Sequence, residues 1–132
     1  MNLTSLRIIT ADIKRSVQFF EKVTGLTATW YTGDFAEIVA GTSTLAIGST
    51  RTMALFGGEG IIQPASNKSV IIEFRVENVD DEYTRIKDSI DEIVQQPTTM
   101  PWGNRSLLFR DPDGNLINFF TPVTQEAIKK FS

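Results

Sequence analysis

The chain has 132 residues, a net charge of -3 and ordinary globular proportions of apolar (41%) and charged (22%) residues; this excludes whole-chain disorder, and the scattered lysines and arginines give no footprint for nucleic acid or anionic lipid. Cysteine and histidine are both absent, which removes disulfides, thiolate nucleophiles, imidazole metal ligands and every triad built on imidazole. Residues 1–16 lack a signal-type apolar stretch and no window nears the ~18 apolar residues of a membrane span, so a cytoplasmic protein without membrane association is expected.

Residues 6–10 read as a strand, after which Asp12 caps a helix whose apolar stripe is Ile13, Val17 and Phe20 and which ends near Gly25. Short β-rich runs follow at 27–31, 35–40 and 44–47, separated by Thr32-Gly33-Asp34 and Gly41-Thr42. The first module, about 3–48, is therefore βαβββ. Residues 49–68 read as an intermodule loop. Its Gly57-Gly58-Glu59-Gly60 is no dinucleotide or phosphate motif, because no strand leads into it and no lysine follows; a mobile flap or crossover is expected.

The same order then recurs. A strand at 70–76 precedes a helix that starts at Asn78 and carries the stripe Val79, Tyr83, Ile86 and Ile90. Each of Ile13, Val17 and Phe20 has its counterpart 66 positions on, at Val79, Tyr83 and Ile86, which marks an internal duplication. Strands follow at 93–96, 105–110 and 115–121, the last two joined by the hairpin signal Asp111-Pro112-Asp113-Gly114. The second module spans about 69–122, and a helix over 124–131 is expected, with Val123 and Ile128 spaced as a hydrophobic staple.

Strand alternation separates two faces. Leu6, Ile8, Leu45, Ile47, Ile72, Phe74, Val76, Ile117 and Phe119 share one parity and should pack under the helices. The other parity holds Ser5, Arg7, Ile9, Thr44, Ala46, Ile71, Glu73, Arg75, Leu116, Asn118 and Phe120, a mixture suited to a semi-polar cup.

Residues 11–20 (Ala-Asp-Ile-Lys-Arg-Ser-Val-Gln-Phe-Phe) ending at Gly25, Pro101-Trp102-Gly103-Asn104-Arg105, and the run from Asp111 to Ile117, set in duplicated order, resemble the vicinal oxygen chelate superfamily of glyoxalases, bleomycin-resistance proteins and dioxygenases from Leu6 to about Val123. The resemblance implies an α+β fold over 1–132 in which two tandem βαβββ modules form a curled mixed sheet, a half barrel, around a ligand cup, often as a homodimer. In metal-dependent members the ligands occupy positions that fall here on Ser5, Ala46, Ile71 and Asn118. Alanine and isoleucine have no donor atom, so the metal mechanism does not transfer and no cofactor is expected. The metal-free, antibiotic-resistance-like branch sequesters a drug without transforming it, and this is the leading reading: a small, aromatic or amphipathic ligand in the cup.

Candidate ligand-binding residues are Ser5, Arg7, Trp30, Tyr31, Glu73, Trp102, Asn118 and Phe120. Arg7 and Glu73 are equivalent by the same 66-residue lag and form either a structural ion pair or a ligand-contacting one. Glu73 is the candidate catalytic base if the protein is a lyase, isomerase or dioxygenase using that carboxylate or non-standard metal ligands. Trp102 sits in a Pro-Trp-Gly loop that exposes it at a rim, and Trp30, Tyr31 and Phe120 are flat groups suited to stacking. Asn118 needs partners on an apolar strand, and Ser5 and Thr44 pose the same demand more weakly. A dimeric interaction module is the third reading.

Overall fold

The computed structural model describes residues 1–132, and they divide into two compact units, Met1–Asn67 and Lys68–Ser132. In the first, β1 (Ser5–Thr10) leads into α1 (Ile13–Thr24), then β2 (Thr29–Thr32), β3 (Phe35–Ala40) and β4 (Ser43–Ser49). In the second, β5 (Ile71–Arg75) leads into α2 (Val79–Ile86), β6 (Ile93–Thr99), β7 (Asn104–Arg110), β8 (Leu116–Pro122) and α3 (Gln125–Lys130). Each unit is βαβββ, and its strands form one four-stranded mixed sheet, β1-β4-β3-β2 and β5-β8-β7-β6. In both, the first strand pairs parallel with the last and the rest are antiparallel. No helix is long and apolar enough to cross a membrane.

Local chemistry fixes both long helices. The Asp12 carboxylate accepts from the Arg15 N–H at 3.1 Å, while Gly25, left-handed at φ 71°, donates its N–H to Glu21 O and ends the helix. Ile13, Val17, Phe20 and Val23 form the buried stripe, and fully burying such a side chain contributes about 1.5–3 kcal/mol. At α2 the Asn78 side chain accepts from both the Asp80 and Asp81 N–H groups. Asp80 then accepts a two-point pair from Arg105 on β7, at 2.9 and 3.1 Å, tying the helix start to its sheet. The helical stripe expected to reach Ile90 ends earlier: after Ile86 the chain tightens into a 3-10 turn, Lys87–Ser89, with Ile90 still buried.

The helix-side faces follow the alternation, although Ile72, Phe74 and Val76 are only half-buried and Leu6 is exposed. Ile8, Leu45, Ile47, Ile117 and Phe119 are buried, and Phe119 meets Phe74 and Phe109 edge to face. Leu6 is 43% exposed, because it lies near the start of edge strand β1. The opposite faces are less polar than expected, since Ile9, Ala46 and Phe120 are buried too. Val123 and Ile128 are both exposed, so no buried staple forms; α3 is held instead by Thr124, whose Oγ1 accepts from the Ala127 N–H.

The stretch at 49–68 is more ordered than a bare connection. It contains 3-10 helices at Thr50–Leu55 and Glu59–Ile61. The first is tied down by Asp34, whose Oδ1 accepts from Ser49 Oγ at 2.8 Å and Arg51 Nε at 2.9 Å. The Arg51 guanidinium and the Ser49 hydroxyl together hold the Asp34 carboxyl below the usual carboxylate range.

Candidate ligand site

The register across each sheet sets which side chains share the face turned away from the helix. In the first unit Arg7 lies opposite Ala46 and Ala46 opposite Glu37, so these three form a row across β1, β4 and β3. In the second, Glu73 lies opposite Asn118 and Asn118 opposite Leu108. The duplication thus sets Arg7 and Glu73 at the head of equivalent rows.

In the first unit the Arg7 guanidinium carbon is 4.5 Å from the Phe35 ring centroid and 5.2 Å from that of Phe56. Both lie within cation–π range. Phe56 reaches this face because the 3-10 helix at Thr50–Leu55 folds back after β4; on the same face Gly48 is closely packed, since a Cβ there would lie 3.1 Å from Thr52 Oγ1 and 3.3 Å from Ile9 Cδ1. Tyr31 stacks on Phe35 at 5.8 Å. A hydrogen bond and the charge of Glu37 raise the Tyr31 hydroxyl above its ordinary value. Trp30 lies opposite Ala36, on the other face of the sheet, so the structure separates Trp30 from Tyr31 rather than bringing them together. Ser5 is exposed at the start of β1.

In the second unit the Asn118 Nδ2 donates to Glu73 Oε2 at 2.8 Å, while Asn118 Oδ1 is buried without a partner. This orientation follows from charge, because turning the amide would set oxygen against carboxylate. Glu73 is otherwise exposed. Phe120 is covered by Phe131, the ring centroids being 5.2 Å apart, and Arg75 Nη1 donates to the Phe131 carbonyl. The chain following the last strand therefore returns over the same face in both units, with Phe56 in one and Phe131 in the other. Beside this return lies a recess of about 380 Å³ lined by residues that include Arg75, Glu77, Thr121, Ile128 and Phe131. Trp102, 69% exposed, stands on the turn between β6 and β7.

The donor set at the family's metal positions does not fit a transition-metal ion. Ala46 and Ile71 carry no donor, Ser5 and Asn118 offer only neutral oxygens, and no three Asp or Glu side chains converge anywhere to replace them. Phe35, Glu37 and Phe56 are the functional candidates that the sequence reading did not name. The alternation of Phe35 and Glu37 along β3 was a usable signal for the first two; Phe56 had none, being set by the path of a loop.

The fold and the paired rows define a duplicated βαβββ protein with a mixed polar and aromatic sheet face. Over residues 2–119 the chain matches the model of the Glyoxalase/Bleomycin resistance protein/Dioxygenase superfamily, and it belongs to that family. It is 29% identical over 125 residues to "Uncharacterized protein YraH" of Bacillus subtilis (strain 168), covering 91% of this chain and 98% of that one. Among solved structures it is similar to a glyoxalase/bleomycin resistance protein/dioxygenase from Nocardioides (TM-score 0.78, 22% identity, 95% of this chain and 85% of that chain). A family enzyme from Burkholderia phytofirmans PsJN gives a TM-score of 0.82 at 16% identity, over 93% of this chain and all of the other (100%).

Proposed function

We propose that the protein binds a small aromatic or amphipathic molecule on the sheet faces turned away from its helices, and sequesters it without a metal. The observation that carries this reading is the unspent polar capacity on those faces. Arg7 has aromatic neighbours but no carboxylate partner within its unit, and Asn118 keeps a buried oxygen without a donor. Leaving the buried Asn118 oxygen unsatisfied costs free energy that a purely structural face would avoid by being apolar. Without a metal, orientation comes from flat side chains and polar groups within a unit, the candidates being Tyr31 with Arg7 in the first and Trp102 with Glu73 and Asn118 in the second. Ser5, Trp30 and Phe120 contribute less, being respectively at a strand start, on the opposite face, and already covered by Phe131. The protein works as a homodimer, which would shelter the edge strands that each sheet leaves open.

A thermal-shift screen of aromatic and amphipathic compounds, with elemental analysis of the same protein, tests the reading. A true ligand at 100 times its Kd adds ~2.7 kcal/mol of stability. A compound that raises the Tm of metal-free protein supports the proposal; stoichiometric zinc, nickel, iron or manganese required for binding contradicts it. Sedimentation as a 14.7 kDa species alone would remove the dimer.

A further inference from the structure

Arg7 differs from four of the other arginines in how its charge is held. Arg51, Arg85, Arg105 and Arg110 are each paired with a carboxylate, of Asp34, Glu82, Asp80 and Glu92 respectively. Arg7 instead lies against the rings of Phe35 and Phe56, 4.5 and 5.2 Å from their centroids, and no carboxylate of its unit pairs with it. An aromatic ring attracts the cation through its π face yet uses none of the five N–H donors. Two rings therefore fix the position of the guanidinium and leave its fork available. The carboxylate that the register places on the same face, Glu37, sits two strands away, roughly 10 Å along the sheet by the ordinary strand spacing. Its charge acts on the Tyr31 hydroxyl, which it raises above the ordinary value.

We propose that Arg7 is the anion-recognition point of the ligand site, and that its ligand is a planar aromatic monoanion carrying a carboxylate. The guanidinium fork matches a carboxylate in two parallel hydrogen bonds, and the neighbouring rings of Phe35, Phe56 and Tyr31 supply a surface for a flat apolar body. The charge of Glu37 on the same face selects against a dianion such as a phosphate monoester. Ala46, between Arg7 and Glu37 in the row, adds no side-chain bulk beyond a methyl group. This inference rests on the binding reading above and gives it a chemical class.

The matched probes 1-naphthoate and 1-naphthamide, alike in shape and different in charge, test it. Titrations of the full chain followed by calorimetry, and by the Arg7 Nε–Hε resonance in 15N spectra, should show naphthoate binding at least about tenfold more tightly, the margin expected of a charge-assisted hydrogen bond. Arg7→Gln, an exposed position, should abolish that preference by weakening naphthoate far more than naphthamide, and Arg7→Lys should retain part of it. Lys14→Gln, which removes an exposed charge from α1, should leave the preference intact. Equal affinities for the two probes, or a preference that survives Arg7→Gln, would overturn the anion assignment alone and leave the binding reading standing. Binding of neither probe overturns it as well, and the thermal-shift screen then judges the pocket independently.

Discussion

Gly103→Ala is a sharp test of how the second unit is held together. Gly103 closes the turn that carries Trp102, with φ at +97°, its N–H donating to Met100 O and its carbonyl accepting from the Val123 and Thr124 N–H groups. A Cβ at this position would overlap Thr124 Oγ1 and stand 3.0 Å from Ala127 Cβ. The added methyl group incurs three costs. The left-handed backbone penalises any L side chain by about 1–2 kcal/mol. Displacing Thr124 from the Ala127 N–H removes a helix cap, about 1 kcal/mol. Crowding a close-packed site adds about 1–3 kcal/mol. The sum is on the order of 3 kcal/mol or more, a large part of the 5–15 kcal/mol typical of a domain. Urea unfolding reads the total, and amide exchange should locate it: protection at Ile128 and Phe131, whose N–H groups bond to Thr124 O and Ala127 O, should fall first. A variant with an unchanged midpoint and equal protection of α3 would refute this reasoning.

Three substitutions extend the account. Trp102→Ala should weaken binding of the tightest compound from the screen by about 1–3 kcal/mol with little change in Tm, because the ring is exposed and supports no core; a fall in Tm with unchanged affinity would reverse its assignment. Glu73→Gln should alter affinity or its pH dependence with the fold intact, since the amide can still accept from Asn118, and a purely thermal effect would make the residue structural. Burial raises the Asp111 carboxyl above its ordinary value, outweighing the hydrogen bonds from Asn115 that lower it. The folded state therefore holds this proton more tightly than the unfolded chain, so its stabilising contribution is full below about pH 4 and lost as pH rises through the folded value. The urea midpoint of the wild type relative to Asp111→Asn should accordingly fall as pH rises above about 4, and a midpoint that rises relative to the variant would contradict it.

The duplication was legible because helical stripes are local: Ile13, Val17 and Phe20 and their counterparts Val79, Tyr83 and Ile86 needed only period and spacing, and five of the six are buried or nearly so. Hairpin chemistry was equally local, and the Asp111 turn closes with Gly114 at positive φ and Asp111 accepting from the Asp113 and Asn115 N–H groups. The strand at 93–96 was read too short, since Pro97 argues against continuation, yet β6 runs to Thr99 as an edge strand with register shifts where a missing N–H is tolerated. The site was less legible. Strand parity brought out Arg7, Glu73 and Asn118, but the return of Phe56 and Phe131 over the open faces depends on tertiary path rather than on local pattern.

The claim on which the account turns is that a small molecule occupies the faces turned away from the helices. Titrating 15N-labelled protein with the tightest compound from the screen and mapping the perturbed resonances tests this most directly. The account predicts saturable shifts in the row of Arg7, Glu37 and Ala46 or in that of Glu73 and Asn118, with the solvent side of α1 and α2 silent. Shifts confined to the helices, or no saturable change at either row, would contradict it.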